Sequence, residues 1–147
     1  MPAIERSGPF FLDTNIFVYC FDELAPQKQQ VARQLVREAL ATRRGVISTQ
    51  VVQEFLNVAL RRFTQPFTAT EAREYLLTAL FPLCQHFPTV QFYEHALAVS
   101  NETGYAFYDA LIVTAATEMD CALLLSEDLQ DGRQIHGVTI RNPFAGL

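Results

Sequence analysis

The apolar residues of this chain arrive either in short solid runs or at the spacing of one helical face. Phe10–Leu12 is a solid run closed by Asp13, Thr14 and Asn15, the pattern of a buried strand that runs out into a turn. Across 27–41, behind Pro26, Val31, Ala32, Leu35, Ala39 and Leu40 recur on one side of a helix, and Gly45 closes the segment. Residues 46–47 predict a short strand. Ser48 and Thr49 then cap a helix that runs to about residue 63, and 64–66 turn the chain. Thr68 and Glu71 have the spacing of a capping box, opening a helix that should stop near Pro82. Residues 89–92 predict a strand, 93–103 a helix ended by Gly104, and 108–119 a strongly apolar helix. A buried strand over 121–125 turns out at Ser126, Glu127 and Asp128, and 138–140 is a last strand before Pro143. Solid apolar strands alternating with helices imply a parallel sheet covered on both faces.

Composition narrows the class. The 147 residues suit one domain, and 50% hydrophobic content with 12 Phe and 5 Tyr excludes disorder as the main state. No repeat, charge block or Gly/Ser linker divides the chain. Cys20, Cys84 and Cys121 are too widely spaced for a disulfide framework or a zinc knuckle and favour a reducing compartment. Glu5 and Arg6 interrupt the start, so no secretory signal is expected there. No apolar run approaches the roughly 18 residues of a membrane span, which predicts a cytoplasmic protein with no membrane partner.

The net charge of −5 makes the chain a poor passive binder of phosphate backbones. Of the 11 basic residues only Lys28 is a lysine. Arginine suits forked phosphate contacts, although compositional bias accounts for the excess more simply.

Against this background four carboxylates stand out. Asp13 sits at the carboxyl end of the first strand and Asp128 just beyond the strand at 121–125, which puts both on the ligand-binding rim of a parallel sheet. At about 100° per residue, Asp109 shares a helical side with Ile112, Val113 and Ala116, away from Thr114, Thr117 and Glu118. Its ordinary role would be an N-cap or first-turn acid. Glu54 lies at a stripe edge, with Val51 and Val58 on one flank and Asn57 and Arg61 on the other. Buried carboxylates brought together are unfavourable unless something neutralises them, and a hard cation such as Mg²⁺ or Mn²⁺ does so with oxygen ligands. His86, His95 and His136 lie far from these acids in sequence, and an all-oxygen set argues against zinc.

These same segments carry a resemblance. Phe10-Phe11-Leu12-Asp13-Thr14-Asn15 resembles the opening motif of the PIN-domain nucleases. Ser48…Glu54-Phe55, Phe107-Tyr108-Asp109-Ala110-Leu111-Ile112 and Leu124-Leu125-Ser126-Glu127-Asp128 resemble its later motifs, so the likeness runs from Pro9 to about Phe144. The compact length is similar to the VapC-type toxins of bacterial toxin–antitoxin pairs. The resemblance implies one domain over 1–147, a three-layer α/β/α sandwich around a mainly parallel sheet. It implies Asp13, Glu54, Asp109 and Asp128 as catalytic acids, with Asp13, Asp109 and Asp128 on Mg²⁺ or Mn²⁺, and Asn15 and Ser126 in support. It further implies RNA cleavage leaving a 5′-phosphate, a homodimer and a cognate antitoxin.

The fourth acid varies in this family. Asp128 is assigned and Asp131 is the substitute, although a turn role before Gly132 explains Asp131 more simply. Arg61 and Arg62 are candidate RNA contacts, with a solvated helix end as the plainer explanation. Phe17, Tyr19, Phe21, Phe55 and Phe63 could stack bases but fit a core better, and Tyr19 and Phe21 could also serve a dimer face. A housekeeping RNA-processing nuclease and an inactive PIN-like binding module stay open as alternatives. An aspartate-dependent phosphatase does not, because Asn15 stands where its general acid would be. No Gly-rich nucleotide motif is present.

Overall fold

The computed structural model describes residues 8–147; the reading made on Glu5 and Arg6 lies outside them. Every side chain of β1 (Phe10–Leu12) is buried, and the strand lies inside the sheet with a parallel partner on each edge. The chain leaves it through α1 (Thr14–Tyr19) and α2 (Pro26–Thr42), then returns as β2 (Gly45–Ser48). α3 (Thr49–Arg61) and α4 (Ala69–Tyr75) follow, and a π-helical turn (Leu76–Leu80) leads into the short α5 (Phe81–Leu83) and β3 (Cys84–His86). The second half runs α6 (Val90–Thr103), α7 (Phe107–Glu118), β4 (Leu123–Leu125), β5 (Gln134–Ile135) and β6 (Val138–Arg141). The six strands lie in the order β3-β2-β1-β4-β6-β5, all neighbours parallel except the β5–β6 pair. Helices flank this sheet, giving the α/β architecture with a central, mostly parallel sheet that the sequence predicts.

Local chemistry explains where elements begin and how they pack. The Thr68–Glu71 capping box is formed in both directions, and Gly104 takes the left-handed conformation that ends α6. At Gly45 a Cβ would lie 2.2 Å from the Cβ of Ala39, so the seating of α2 on β2 requires glycine. Phe11, Leu12, Ile47, Leu124, Leu125 and Ile140 are fully buried, and their strands carry the core.

Four sequence expectations are corrected. The segment after Asp13 is the helix α1 rather than a turn, because Asp13 caps it. Residues 89–92 are not a strand: the Thr89 hydroxyl accepts from the Phe92 N–H at 3.1 Å and starts α6. The helix that should stop near Pro82 ends one residue beyond it, at Leu83: α4, the π-helical turn and α5 run on without a break, with the Phe81 N–H on the Leu76 carbonyl. The edge strands β3 and β5 were not expected at all. Finally, α7 has no polar side over Ala110–Ala116. Every residue there is buried, and Thr114 satisfies its hydroxyl on the Ala110 carbonyl at 2.6 Å.

The strand order places a switch point at the centre. Chain connections leave β1 toward β2 on one side and reach β4 on the other, so a crevice opens beyond the carboxyl ends of β1 and β4.

Candidate functional site

That crevice begins at Asp13. The β1–β4 register pairs Leu12 with Leu125, so Asp13 and Ser126 leave their strands side by side. Asp13 is only 8% exposed. Its Oδ1 accepts from the Thr14 N–H at 2.7 Å and caps α1, while its Oδ2 accepts from the Ser126 hydroxyl at 2.7 Å. On the other flank, the β1–β2 register carried forward sets Ser48 level with Asp13. The Ser48 hydroxyl is buried without a hydrogen-bond partner among the described residues, and although Ser48 stands at the N-cap of α3 its side chain caps nothing.

The helices bring up the remaining acids. Glu54, on α3, accepts from the Thr14 hydroxyl at 2.7 Å and from Gln50 Nε2 at 3.4 Å. Gln50 also donates to the Tyr108 carbonyl at 3.2 Å, which ties α3 to the start of α7. Asp109 stands in the first turn of α7, without an N-cap role of its own. Asn15 Nδ2 donates to Asp128 Oδ2 at 3.1 Å and to Ser126 Oγ at 3.3 Å, and its Oδ1 accepts from the Glu127 N–H at 3.2 Å. Asp13, Glu54, Asp109 and Asp128 all line one cavity of about 470 Å³, together with Asn15, Tyr19, Gln50, Glu127 and Arg62.

The expectation of four buried acids needs correction. Asp13 is buried, Glu54 and Asp109 are half-buried, and Asp128 is exposed. Asp131 and Arg61 do not line the cavity. Asp131 accepts from the Asn142 N–H at 2.9 Å, as a turn residue does. Phe21, Phe55, Phe63, Phe67 and Tyr75 pack ring against ring and are not available to bases. No histidine reaches the cavity: His86 and His95 share the two oxygens of Glu118, and His136 meets Glu102.

Sequence reasoning missed Thr14, Gln50 and Lys28. Gln50 carried a signal, one turn before Glu54. Lys28 carried none, since its partner Glu127 is 99 residues away.

The electrostatics follow from burial. Desolvation pushes the Asp13 carboxyl up to about 6, against the hydrogen bonds from Ser126 and Thr14 and with the added repulsion of Glu54 and Asp128. Asp109 is raised as well, by burial first and then by Asp128 and Glu54. Burial also pushes Glu127 upward, but the hydrogen bonds from Lys28 and Tyr19 outweigh it and hold that carboxyl below its ordinary value.

The donor set bears on a cation. Among the described residues no three His, Cys, Asp or Glu side chains are gathered so that they hold a metal ion outright. The acids instead rest on neutral donors: Asp13 on Ser126, Glu54 on Thr14, Asp128 on Asn15. Mg²⁺ keeps several waters and needs only one or two carboxylates, so this all-oxygen, mutually repelling set fits such an ion.

Comparison with known proteins bears on the whole chain. No curated protein matches it. Among solved structures it is similar to a toxin–antitoxin complex from Klebsiella pneumoniae, with a TM-score of 0.67 at 18% identity over 94% of this chain and 98% of that one. It is also similar to VapBC2 from Rickettsia felis bound to a DNA fragment from their promoter, with a TM-score of 0.59 at 14% identity over 90% and 97%. FitAcB from Neisseria gonorrhoeae gives a TM-score of 0.58 at 17% identity over 92% and 99%. At these identities the likeness is one of fold. The family model described as the PIN domain matches residues 10–130, the span that contains all five acids lining the cavity. The chain belongs to the PIN domain family.

Proposed function

We propose that this chain is a metal-dependent endoribonuclease that hydrolyses RNA phosphodiester bonds, and that it is the toxin of a VapC-type toxin–antitoxin pair. The observation that carries the reading is Asp13, a buried carboxyl at the switch point with four further acids around one cavity. A fold that only bound a partner would gain nothing from this repulsion.

In this reading Asp13, Asp109 and Asp128 would hold Mg²⁺ or Mn²⁺, with water completing the ion's shell. A divalent cation supplies Lewis-acid activation of water and of the phosphodiester. Ser126 and Asn15 orient Asp13 and Asp128 toward the cavity. Glu54, fixed by Thr14 and Gln50, would take a proton from the attacking water. Arg62, at the cavity wall, is placed to meet a phosphate.

The toxin assignment draws on the likeness of fold to the toxin–antitoxin complex from Klebsiella pneumoniae and to VapBC2. The homodimer and the cytoplasmic setting belong to the same proposal. Val90, Tyr93 and Leu97 follow one another at one-turn spacing along α6 and are exposed, which suits a partner face. Cys20, Cys84 and Cys121 are all free thiols, as a reducing compartment would keep them. Among the described residues no helix is long and apolar enough to cross a membrane.

The test is cleavage of a labelled RNA by purified protein in Mn²⁺ or Mg²⁺, with chelator and with Asp109→Asn. Cleavage that stops in both controls and leaves 5′-phosphate ends supports the proposal. Cleavage indifferent to chelator, or none by the wild type, overturns it. Expression without an antitoxin should arrest growth, and normal growth with active soluble protein would instead make the chain a housekeeping nuclease.

A further inference from the structure

Glu127 lies between two residues of the candidate site, Ser126 and Asp128, and lines the same cavity, yet both of its oxygens are occupied elsewhere. Lys28 Nζ, from α2, meets Oε2 at 2.6 Å, and the Tyr19 hydroxyl, from the end of α1, donates to Oε1. Lys28 also donates to the Tyr19 oxygen at 3.3 Å and lies 4.9 Å from the centre of the Tyr19 ring. The Tyr19 ring in turn packs edge-on against Phe144, with centroids 4.9 Å apart. Two donors from consecutive helices, backed by Phe144 near the end of the chain, therefore close on one carboxylate. The turn that bears Glu127 is held at two further points, since Asn15 Oδ1 accepts from the Glu127 N–H and the Ser126 hydroxyl accepts from the Asp128 N–H at 3.1 Å.

We infer that Lys28 and Tyr19 form a clamp on Glu127 that sets the Ser126–Asp128 turn, making Glu127 a positioning residue and leaving Asp128 as the acid that faces the cation. Two adjacent acids border the cavity. The clamp engages both oxygens of one and leaves the other with a single amide contact, from Asn15. The only lysine of the chain is committed to this contact. Its charge also offsets one of the cavity's negative charges without entering the acid set.

This inference rests on the nuclease reading. It is tested with Lys28→Met, Glu127→Gln, their double variant, Lys28→Arg and Tyr19→Phe, each checked for an unchanged circular dichroism spectrum. Two quantities are measured: RNA cleavage, split into kcat and KM, and the dissociation constant for Mn²⁺ alone from the loss of its free-ion paramagnetic resonance signal. Lys28→Met and Glu127→Gln should each lower kcat about 10–100-fold with KM little changed and should weaken Mn²⁺ binding, as loss of a supporting contact around a metal ligand does. The double variant should be no worse than either single one, and Lys28→Arg should keep most of the activity. Tyr19→Phe, which removes one hydrogen bond and no charge, should fall between.

Additive losses concentrated in KM would overturn the inference and make Lys28 an RNA contact. Loss of Mn²⁺ binding in Glu127→Gln but not in Lys28→Met would overturn it by making Glu127 a ligand, and silence in both variants would overturn it outright. A wild type that neither cuts RNA nor binds Mn²⁺ would remove the nuclease reading and this inference together. A wild type that does both while the variants match it removes this inference alone.

Discussion

The Ser126 hydroxyl donates to Asp13 Oδ2 across 2.7 Å, although 113 residues of chain separate the two. They meet because β1 and β4 are parallel neighbours in register, so the residues that follow Leu12 and Leu125 emerge together. Asp13 thus has two firm donors, Ser126 and the Thr14 N–H, and burial still prevails over both.

The first prediction follows from that balance. The Asp13 carboxyl lies at about 6 in the fold, against an ordinary 3.8, so between these values the folded state holds a proton that the unfolded chain has lost. Stability therefore falls as pH rises through that window and stays lowered above it, by up to about 3 kcal/mol. Asp13→Asn keeps a side chain that caps α1 and removes the charge. In metal-free buffer at pH 7 this variant should melt above the wild type, and the gap should close by pH 4. Parallel melting curves across pH 4–8 would refute the account, as would any RNA cleavage by the variant.

Much of this site was legible before any coordinates. Phe10–Leu12 is too apolar for anything but a buried strand, and the acid after it had to lie at the rim. The helix α1 was not legible, because Thr14–Tyr19 is too short to show a period and begins with Thr-Asn, which reads as a turn. Residues 89–92 alternate like a strand, and only the capping bond of Thr89 decides for helix. Cys84–His86 has no strand character of its own and pairs because β2 offers an edge. The depth of the acids was also misjudged. Helical arithmetic placed Asp109 on an apolar stripe, but α7 is buried on all sides over Ala110–Ala116, so a stripe could not tell which way Asp109 faces. What distinguishes Asp109 is its place in the first turn, at the cavity.

Metal removal gives the second prediction. Ligating carboxylates must be deprotonated, and a cation that binds only the folded protein stabilises it by mass action. At pH 7, Mn²⁺ at 100 times its dissociation constant should add about 2.7 kcal/mol, seen as a melting temperature that climbs with the logarithm of metal concentration and reverts with chelator. The shift should fade below about pH 6, as Asp13 takes up a proton. An equal shift at pH 5 and pH 7 would mean that the ion binds elsewhere.

A third prediction concerns Ser48. Its hydroxyl is buried beside the β1 exit, makes no hydrogen bond among the described residues and does not cap α3. Leaving a buried polar group unpaired has a cost, so Ser48→Ala should raise stability by about 1 kcal/mol. Urea unfolding would show this as a higher midpoint with an unchanged slope. A lower midpoint would mean that the hydroxyl has a partner.

The two arginines at the end of α3 give the last prediction, because the cavity separates them. Arg62 lines it and Arg61 does not, though they are adjacent in sequence and both are exposed. A contact between an arginine and a single-stranded phosphate releases counterions, so losing it weakens binding and flattens its dependence on salt. Binding of a labelled RNA by the inactive Asp13→Asn protein isolates this step from cleavage. On that background Arg62→Ala should weaken binding and reduce the slope of log affinity against log salt by about 0.7. Arg61→Ala should change neither, since the favourable charge it leaves at the helix end acts only over the last turn. Equal losses from the two substitutions would show that RNA follows the outer face of α3 rather than entering the acid-lined cavity. An unchanged slope in both would remove Arg62 from the RNA path.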